Sequence, residues 1–508
     1  MGHNSILTAK QMVFVNDTSI HRLGDDVLLQ ILAQLSPDDL VSLRKTCRYF
    51  YVLSRSRYLW HHILSREVIQ ERRPLPSYRK PIYQLGSAQL ETLVRRALRL
   101  DVPCQQPTIT KFGSRQSVQW IRLIHGQWVL VATTDKQQSI LTLYSLAVTE
   151  NDKPSLIAAV NLAGPVSSGE IQVHDDRLVI ALCYQSPRRM VQVLSVQDRD
   201  GQLEFATLST FEGLSHIRSL RNELVGCAVY GDTQSPCVAN WKTGEVAFLP
   251  ISPDGPGQCL AMALREDICV VASSSSLTIY SISKSAPELL QVIQLAHSVG
   301  SVSVSAECET LQPEEGASAR QPTRMLLFTA SSVGINVLRL RQQQPKDILM
   351  PPTFSVDVLA EEDLKRGDVL SSKPSLPHFG GSTSRLSWIY APSSFLDRSS
   401  ASLVTGRFAT RDSPPVAVPT ADPAAPAPPS QGAATNATPS GVKFEILSEC
   451  KDVQLPSLHM MPVMDYDDGT GIVAIGNGLG ELVVCNYGGP VGADVAECFM
   501  RIPVPVVG

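Results

Sequence analysis

QWVLVATTD at 127–135, followed closely by ILTLYSL at 140–146, decides the fold of most of this chain. The first of these two strand-like runs returns as RLVIALCYQ (177–185), ELVGCAVYG (223–231), DICVVASSS (267–275), RMLLFTASS (324–332), SLVTGRFAT (402–410) and GIVAIGNGL (471–479), seven occurrences in all. The second returns as VQVLSV (191–196), CVANW (237–241), LTIYSI (277–282), INVLRL (335–340) and LVVCNY (482–487). In the sixth repeat it is VKFEILSE (442–449), after a long insertion. A further run precedes each pair: SVQWIRL, EIQVHD, IRSLRN, QCLAMAL, VGSVSVSA, SRLSWIY and HMMPVMDY. These runs are nearly continuous in apolar or small residues, as in strands covered on both faces.

The early repeats recur every 45–50 residues or so, within the range of propeller blades. Three strands and a less regular fourth make a four-stranded blade. The expectation is an all-β propeller over 107–497, with seven blades. The third repeat ends Asn240-Trp241-Lys242-Thr243-Gly244-Glu245 and resembles the closing hairpin of WD repeats, with Gly244 at a positive-φ turn position. No Trp-Asp dipeptide and no regular Gly-His pair occurs, so the resemblance is to a degenerate member. PTITKF (107–112) has no repeat of its own and is expected to close the ring as the outer strand of the last blade, which would remove exposed sheet edges.

Residues 20–66 obey a different period. Asp25 and Asp26 suit a helix start, and Val27, Leu28, Ile31, Leu32 and Leu35 form an apolar stripe too broad for one short helix. Ser36-Pro37-Asp38-Asp39 restarts the chain, with Ser36 as N-cap, Pro37 at N1 and Asp39 as capping-box partner. Two more helical stretches follow at Tyr49–Leu53 and around Leu59-Trp60 and Ile63-Leu64. A core this small is marginal alone, and its apolar content exceeds internal need, which points to a docking module.

The order of Leu23, Asp25 to Leu28, Ile31, Leu32, Leu35, Pro37, Asp39, Leu40, Leu43, Cys47, Phe50 and Leu59-Trp60 closely resembles the F-box. One departure is Leu23-Gly24, where the family has Leu-Pro. The fold class is therefore α+β multidomain: a small all-α F-box at 19–66, a connecting helical linker at 67–106, and the propeller. Tails are expected at 1–18 and 498–508. The resemblance implies binding to the Skp adaptor, and through it a cullin, as the substrate receptor of an SCF-type ubiquitin ligase whose propeller holds a target protein. It draws the adaptor face from Leu23, Val27, Leu28, Ile31, Leu32, Pro37, Leu40, Leu43, Cys47 and Trp60, any of which can instead be internal core. A scaffold without ligase function and a propeller enzyme regulated by the helices are the rival readings.

In the linker, Leu90, Leu93, Val94, Ala97 and Leu98 have helical spacing, with Arg95, Arg96 and Arg99 expected on other faces. The insertion at 411–441 is rich in Pro, Ala, Ser and Thr and is expected to be disordered; its Ser413-Pro414 and Thr438-Pro439 suit proline-directed phosphorylation.

The full chain has 508 residues, 18% charged and 43% hydrophobic, with 44 Lys+Arg against 48 Asp+Glu. The net charge of −4 argues against a polybasic nucleic-acid binder and a wholly disordered chain. Eleven scattered Cys without a C-x-x-C pair read as reduced thiols. No secretory signal and no membrane-spanning run is visible, so the expected location is cytoplasm or nucleus. No phosphate loop, nucleophile elbow or dinucleotide motif occurs. His174-Asp175-Asp176 and Asp465-Tyr466-Asp467-Asp468-Gly469 read as strand ends and turns. No catalytic residue, metal or cofactor is expected.

Overall fold

In a computed structural model of the chain, the structure describes residues 23–71, 73–76, 82–102, 106–146, 154–174, 177–185, 189–229, 235–251, 258–265, 267–282, 286–306, 324–330, 334–343, 352–363, 374–379, 385–390, 402–409, 443–450, 455–458 and 460–489. The 411–441 insertion with Ser413 and Thr438, and both expected tails, lie outside the described residues.

Four short helices come first: α1 (Asp25–Leu32), α2 (Pro37–Leu43), α3 (Arg48–Leu53) and α4 (Arg57–Ile63). A π-helical turn (Leu64–Ile69) continues α4, and α5 (Ser87–Arg99) follows. The α2 cap forms as the sequence predicts. Ser36 Oγ accepts from Asp39 N–H at 3.2 Å, and the Asp39 carboxylate takes the Ser36 hydroxyl at 2.7 Å instead of a backbone donor. Gly24 caps α1 at φ −62°, a value proline also adopts, so the departure from Leu-Pro changes rigidity more than geometry. Leu28, Leu32, Leu40, Leu59, Trp60, Ile63 and Leu64 make one core with Leu90, Leu93, Val94 and Ala97 of α5. Arg44 ties α2 to α5 through a two-pronged pair with Glu91 at 2.9–3.0 Å. The linker helix thus completes the core that four short helices leave open.

Twenty-eight strands follow, in seven four-stranded antiparallel sheets among the described residues. Strand β1 (Thr108–Gly113) comes first. Then β2 to β5 (Ser117–Ile124, Trp128–Thr134, Ser139–Ser145, Ser155–Leu162) make one sheet, and β6 to β9 (Val166–His174, Arg177–Tyr184, Met190–Arg199, Gln202–Glu212) a second. The third is β10 to β13 (Leu214–Arg221, Leu224–Val229, Pro236–Asn240, Val246–Phe248), and the fourth β14 to β17 (Ala261–Arg265, Ile268–Ala272, Ser276–Ser281, Glu288–Gln294). The fifth is β18 to β21 (Ser301–Ala306, Arg324–Ala330, Gly334–Gln343, Thr353–Asp363). The sixth is β22 to β25 (Pro374–Phe379, Arg385–Tyr390, Ser402–Ala409, Lys443–Cys450). The last comprises β26 (Val463–Asp467), β27 (Ile472–Gly476) and β28 (Glu481–Asn486), joined by β1. The leading strands β2, β6, β10, β14, β18, β22 and β26 neighbour one another in a closed cycle, the architecture of a β-propeller.

Strand periodicity explains the near-continuous apolar runs. Along β7, Leu178, Ile180, Leu182 and Tyr184 pack against the first sheet, while Val179, Ala181 and Cys183 pack against the third. In β3, Leu130 and Ala132 face the second sheet, and Val129 and Val131 face the last. Each such strand is buried on both sides, so both phases of the two-residue repeat are apolar.

The sixth repeat corrects the sequence reading. SLVTGRFAT was expected in the recurrent second position, but it forms the third strand, β24. SRLSWIY supplies the second strand and VKFEILSE the fourth, while the leading strand is β22. That strand begins at Pro374, contains Pro377 and shifts register between Ser375 and His378, and proline removes the donor by which a strand is ordinarily read. Gly244 takes φ +79°, as the turn reading required.

PTITKF closes the ring as expected: β1 pairs antiparallel with β28 from Thr108 opposite Asn486 to Gly113 opposite Glu481. Gly480 turns β27 into β28 at φ +85°, and a Cβ there would lie 2.6 Å from the Gln116 carbonyl oxygen, a backbone atom that cannot swing aside. Gly480→Ala is expected to cost about 1–3 kcal/mol. The check is a lowered melting temperature together with faster hydrogen exchange at the amides of residues 108–113; unchanged exchange there would show that closure does not depend on this turn.

Candidate adaptor-docking face

The register of α1 sorts its apolar side chains into two rows. Leu28 and Leu32 point inward and are buried. Val27 and Ile31, one helical turn apart, point outward with 40% and 45% of their surface exposed, and Leu23, just before the Gly24 cap, is 41% exposed. The stripe that looked too broad for one helix is therefore two faces of the same helix. Pro37 and Leu40 are buried, Leu43 and Cys47 half-buried. Trp60 is fully enclosed and donates its Nε1–H to the Ser54 carbonyl at 2.8 Å.

Of the ten residues proposed for adaptor contact, Leu28, Leu32, Pro37, Leu40 and Trp60 thus lie within the module, and Leu23, Val27 and Ile31 form its open row. Tyr51, Val52 and Tyr58 on α3 and α4 are also exposed and were not singled out from sequence. Their signal was present: they fall between the core positions Phe50, Leu53 and Leu59, on the helix sides that the core does not use. Tyr49 donates its hydroxyl to Asp25 at 2.5 Å, joining α3 to the start of α1, and this bond raises the Tyr49 phenol above its ordinary value.

The module is fastened to the last sheet of the ring. Arg96, expected on a polar face of its helix, is instead buried, and donates through Nε and Nη2 to the Thr470 carbonyl at 3.2 and 2.6 Å. The spacing had carried this signal, since Arg96 lies three residues after Leu93 and four before Leu100, on their stripe. The guanidinium fits only because residue 488 is glycine; a Cβ there would stand 2.7 Å from its nitrogens. Leu100 joins the apolar cluster of the sixth and last sheets with Ile389, Leu403, Tyr466 and Val473. The Asp101 carboxylate bridges Arg73 on the helical side and Arg385 at the start of β23. Beside this contact, burial raises the Asp467 carboxyl above its ordinary value, opposed by the Thr470 N–H at 3.1 Å.

Residues 20–66 match the F-box-like family model. No curated protein sequence matches the chain. Among solved structures, the chain is similar to the WD40 domain of SCAP from fission yeast, at 12% identity and a TM-score of 0.41, over 74% of this chain and 85% of that one. The chain thus combines an F-box-like domain with a β-propeller.

Asp101→Ala would leave Arg385, whose side chain is 1% exposed, without its carboxylate. Stranding a buried charge costs about 3–5 kcal/mol, whereas removing both partners costs far less. Urea denaturation should therefore show a large loss for Asp101→Ala and partial recovery in Asp101→Ala/Arg385→Leu. Equal losses in the two variants would show that the bridge is not what couples helices to ring.

Proposed function

We propose that this protein is the substrate receptor of an SCF-type cullin–RING ubiquitin ligase, acting in the cytoplasm or nucleus. The observation that carries this reading is the row Leu23, Val27 and Ile31, left exposed by an F-box-like domain whose core, completed by α5, does not use it. F-box domains generally bind Skp-type adaptors, and each of these aliphatic side chains would contribute about 1.5–3 kcal/mol on full burial against one. The half-buried Leu43 and Cys47 are further proposed contacts.

The chain's part is proximity, without bond chemistry of its own. The adaptor and a cullin bound through it would bring the ubiquitin-loaded enzyme, and the propeller would bring the target, so that transfer runs at a high effective concentration. The fastening at Arg96, Leu100 and Asp101 supports this, because a target held by the ring would then keep a defined position relative to the adaptor.

Ile31→Asp should abolish co-purification of the Skp adaptor while leaving the melting temperature unchanged, since Ile31 lies outside the core. Leu32→Ala, by contrast, should cost about 2–5 kcal/mol of stability by opening the core. Failure of the folded wild-type chain to retain the adaptor would reject the reading. Retention of the adaptor without cullin would leave a scaffold in place of a ligase subunit.

A further inference from the structure

A cavity of about 850 Å³ is lined by the leading strands of the first five sheets around the ring's central channel, and its charge is lopsided. Four guanidiniums, those of Arg122, Arg218, Arg221 and Arg265, line it against the single carboxylate of Glu170. Arg122 is already satisfied. It pairs with Glu170 at 2.8 Å and stands 3.8 Å from Asp465; burial opposes its charge, but the two carboxylates outweigh burial and raise its pKa. Arg218 and Arg221 have no ion-pair partner among the described residues, and the Arg218 Nε is buried without a hydrogen-bond acceptor. Leaving a buried guanidinium N–H unpaired is costly, and Arg218, a residue of the cavity wall, bears that cost without a carboxylate in ion-pair contact among the described residues.

The strands show how these groups come to face the channel. Register shifts interrupt the leading strands β2, β6 and β10 between Val118 and Trp120, Val166 and Ser168, and Ser215 and Ser219. Bulges of this kind re-aim side chains, and they sit just before Arg122, Glu170 and Arg218 or around them. Arg221 and Arg265 are the last residues of β10 and β14. They lie at the turns into the second strands, on the side where the equivalent turn of the last sheet presents Thr470 to Arg96. The arginine-bearing mouth therefore opens on the face of the ring that carries the helical module.

We propose that this mouth binds an acidic peptide segment of a partner protein, with unmodified Asp and Glu side chains as its anions. Arg218 and Arg221 are three residues apart on one strand, roughly 10 Å at strand rise. Arginines whose backbone positions stand so far apart suit successive monovalent carboxylates, whereas a doubly charged phosphate is best held by several donors converging on one point. The proposal rests on the reading of the propeller as the part that holds the target, and it adds the chemistry of that target.

Fluorescence anisotropy of the full chain with a short fluorescein-labelled Asp/Glu-rich peptide tests it. Saturable binding that weakens with added salt is expected, with no binding of a Lys-rich control. Arg218→Gln/Arg221→Gln should lower the affinity at least tenfold, and Glu170→Gln, which removes the competing carboxylate, should raise it. Should the double variant fail to fold, Arg221→Gln alone, at the mouth, carries the test and should lower affinity severalfold. Absence of wild-type binding, equal binding by the folded arginine variants, or binding only when phosphoserine replaces the Asp and Glu would overturn the proposal. Adaptor co-purification measured on the same variants keeps the outcomes separate, because loss of peptide binding with adaptor retained leaves the ligase reading standing.

Discussion

The antiparallel pairing of β1 with β28 is the contact on which the rest of the structure depends. Each sheet buries both faces against its neighbours, so every interior strand requires the ring to be complete. The pairing supplies the last strand of the last sheet from a segment that follows the helices, and it brings chain positions far apart in sequence into one ladder. The apolar cluster between first and last sheets, with Val129 and Val131 against Ala474 and Val484, takes Phe112 from that ladder.

Because β1 follows α5 so closely, closure also places the helical module. Arg96 reaches Thr470, Leu100 enters the core of the closing sheet, and Asp101 bridges Arg73 to Arg385. Buried charged contacts of this kind add little net stability, because desolvation offsets most of the attraction. Their value is in geometry: a guanidinium wedged against one carbonyl tolerates few alternative dockings. The proposed receptor role would use that, since effective concentration falls when two bound partners can swing apart. The fold thus turns a marginal set of short helices into a fixed handle on a large closed ring.

The low charge content has a structural cause. Strands such as β7, β15 and β27 are apolar in both phases of their alternation, and this double burial recurs from sheet to sheet. Among the described residues, buried charges of the ring include Asp465 on a leading strand, Arg385 at the helical docking site and Arg339 on β20, the third strand of the fifth sheet. Arg122, Glu170 and Asp465 come from the first, second and last sheets, and they meet only because the leading strands converge on the channel.

The repeat, the change of period near residue 107, the closing strand and the cap at Ser36-Pro37 were all legible in the sequence, because each rests on local periodicity or turn chemistry. The sixth repeat was misread by one strand because prolines disguise β22. The division of α1 into the buried pair Leu28 and Leu32 and the open row Leu23, Val27 and Ile31 could not be read, since all five are equally apolar and only their neighbours distinguish them. The same holds for Arg96, whose basic side chain suggested solvent until the glycine-lined turn of the last sheet enclosed it. Sequence alone determined that short helices precede a strand pattern and that the pattern repeats. Tertiary structure decided which side chains remain available to a partner, because availability depends on what residues hundreds of positions away have already covered.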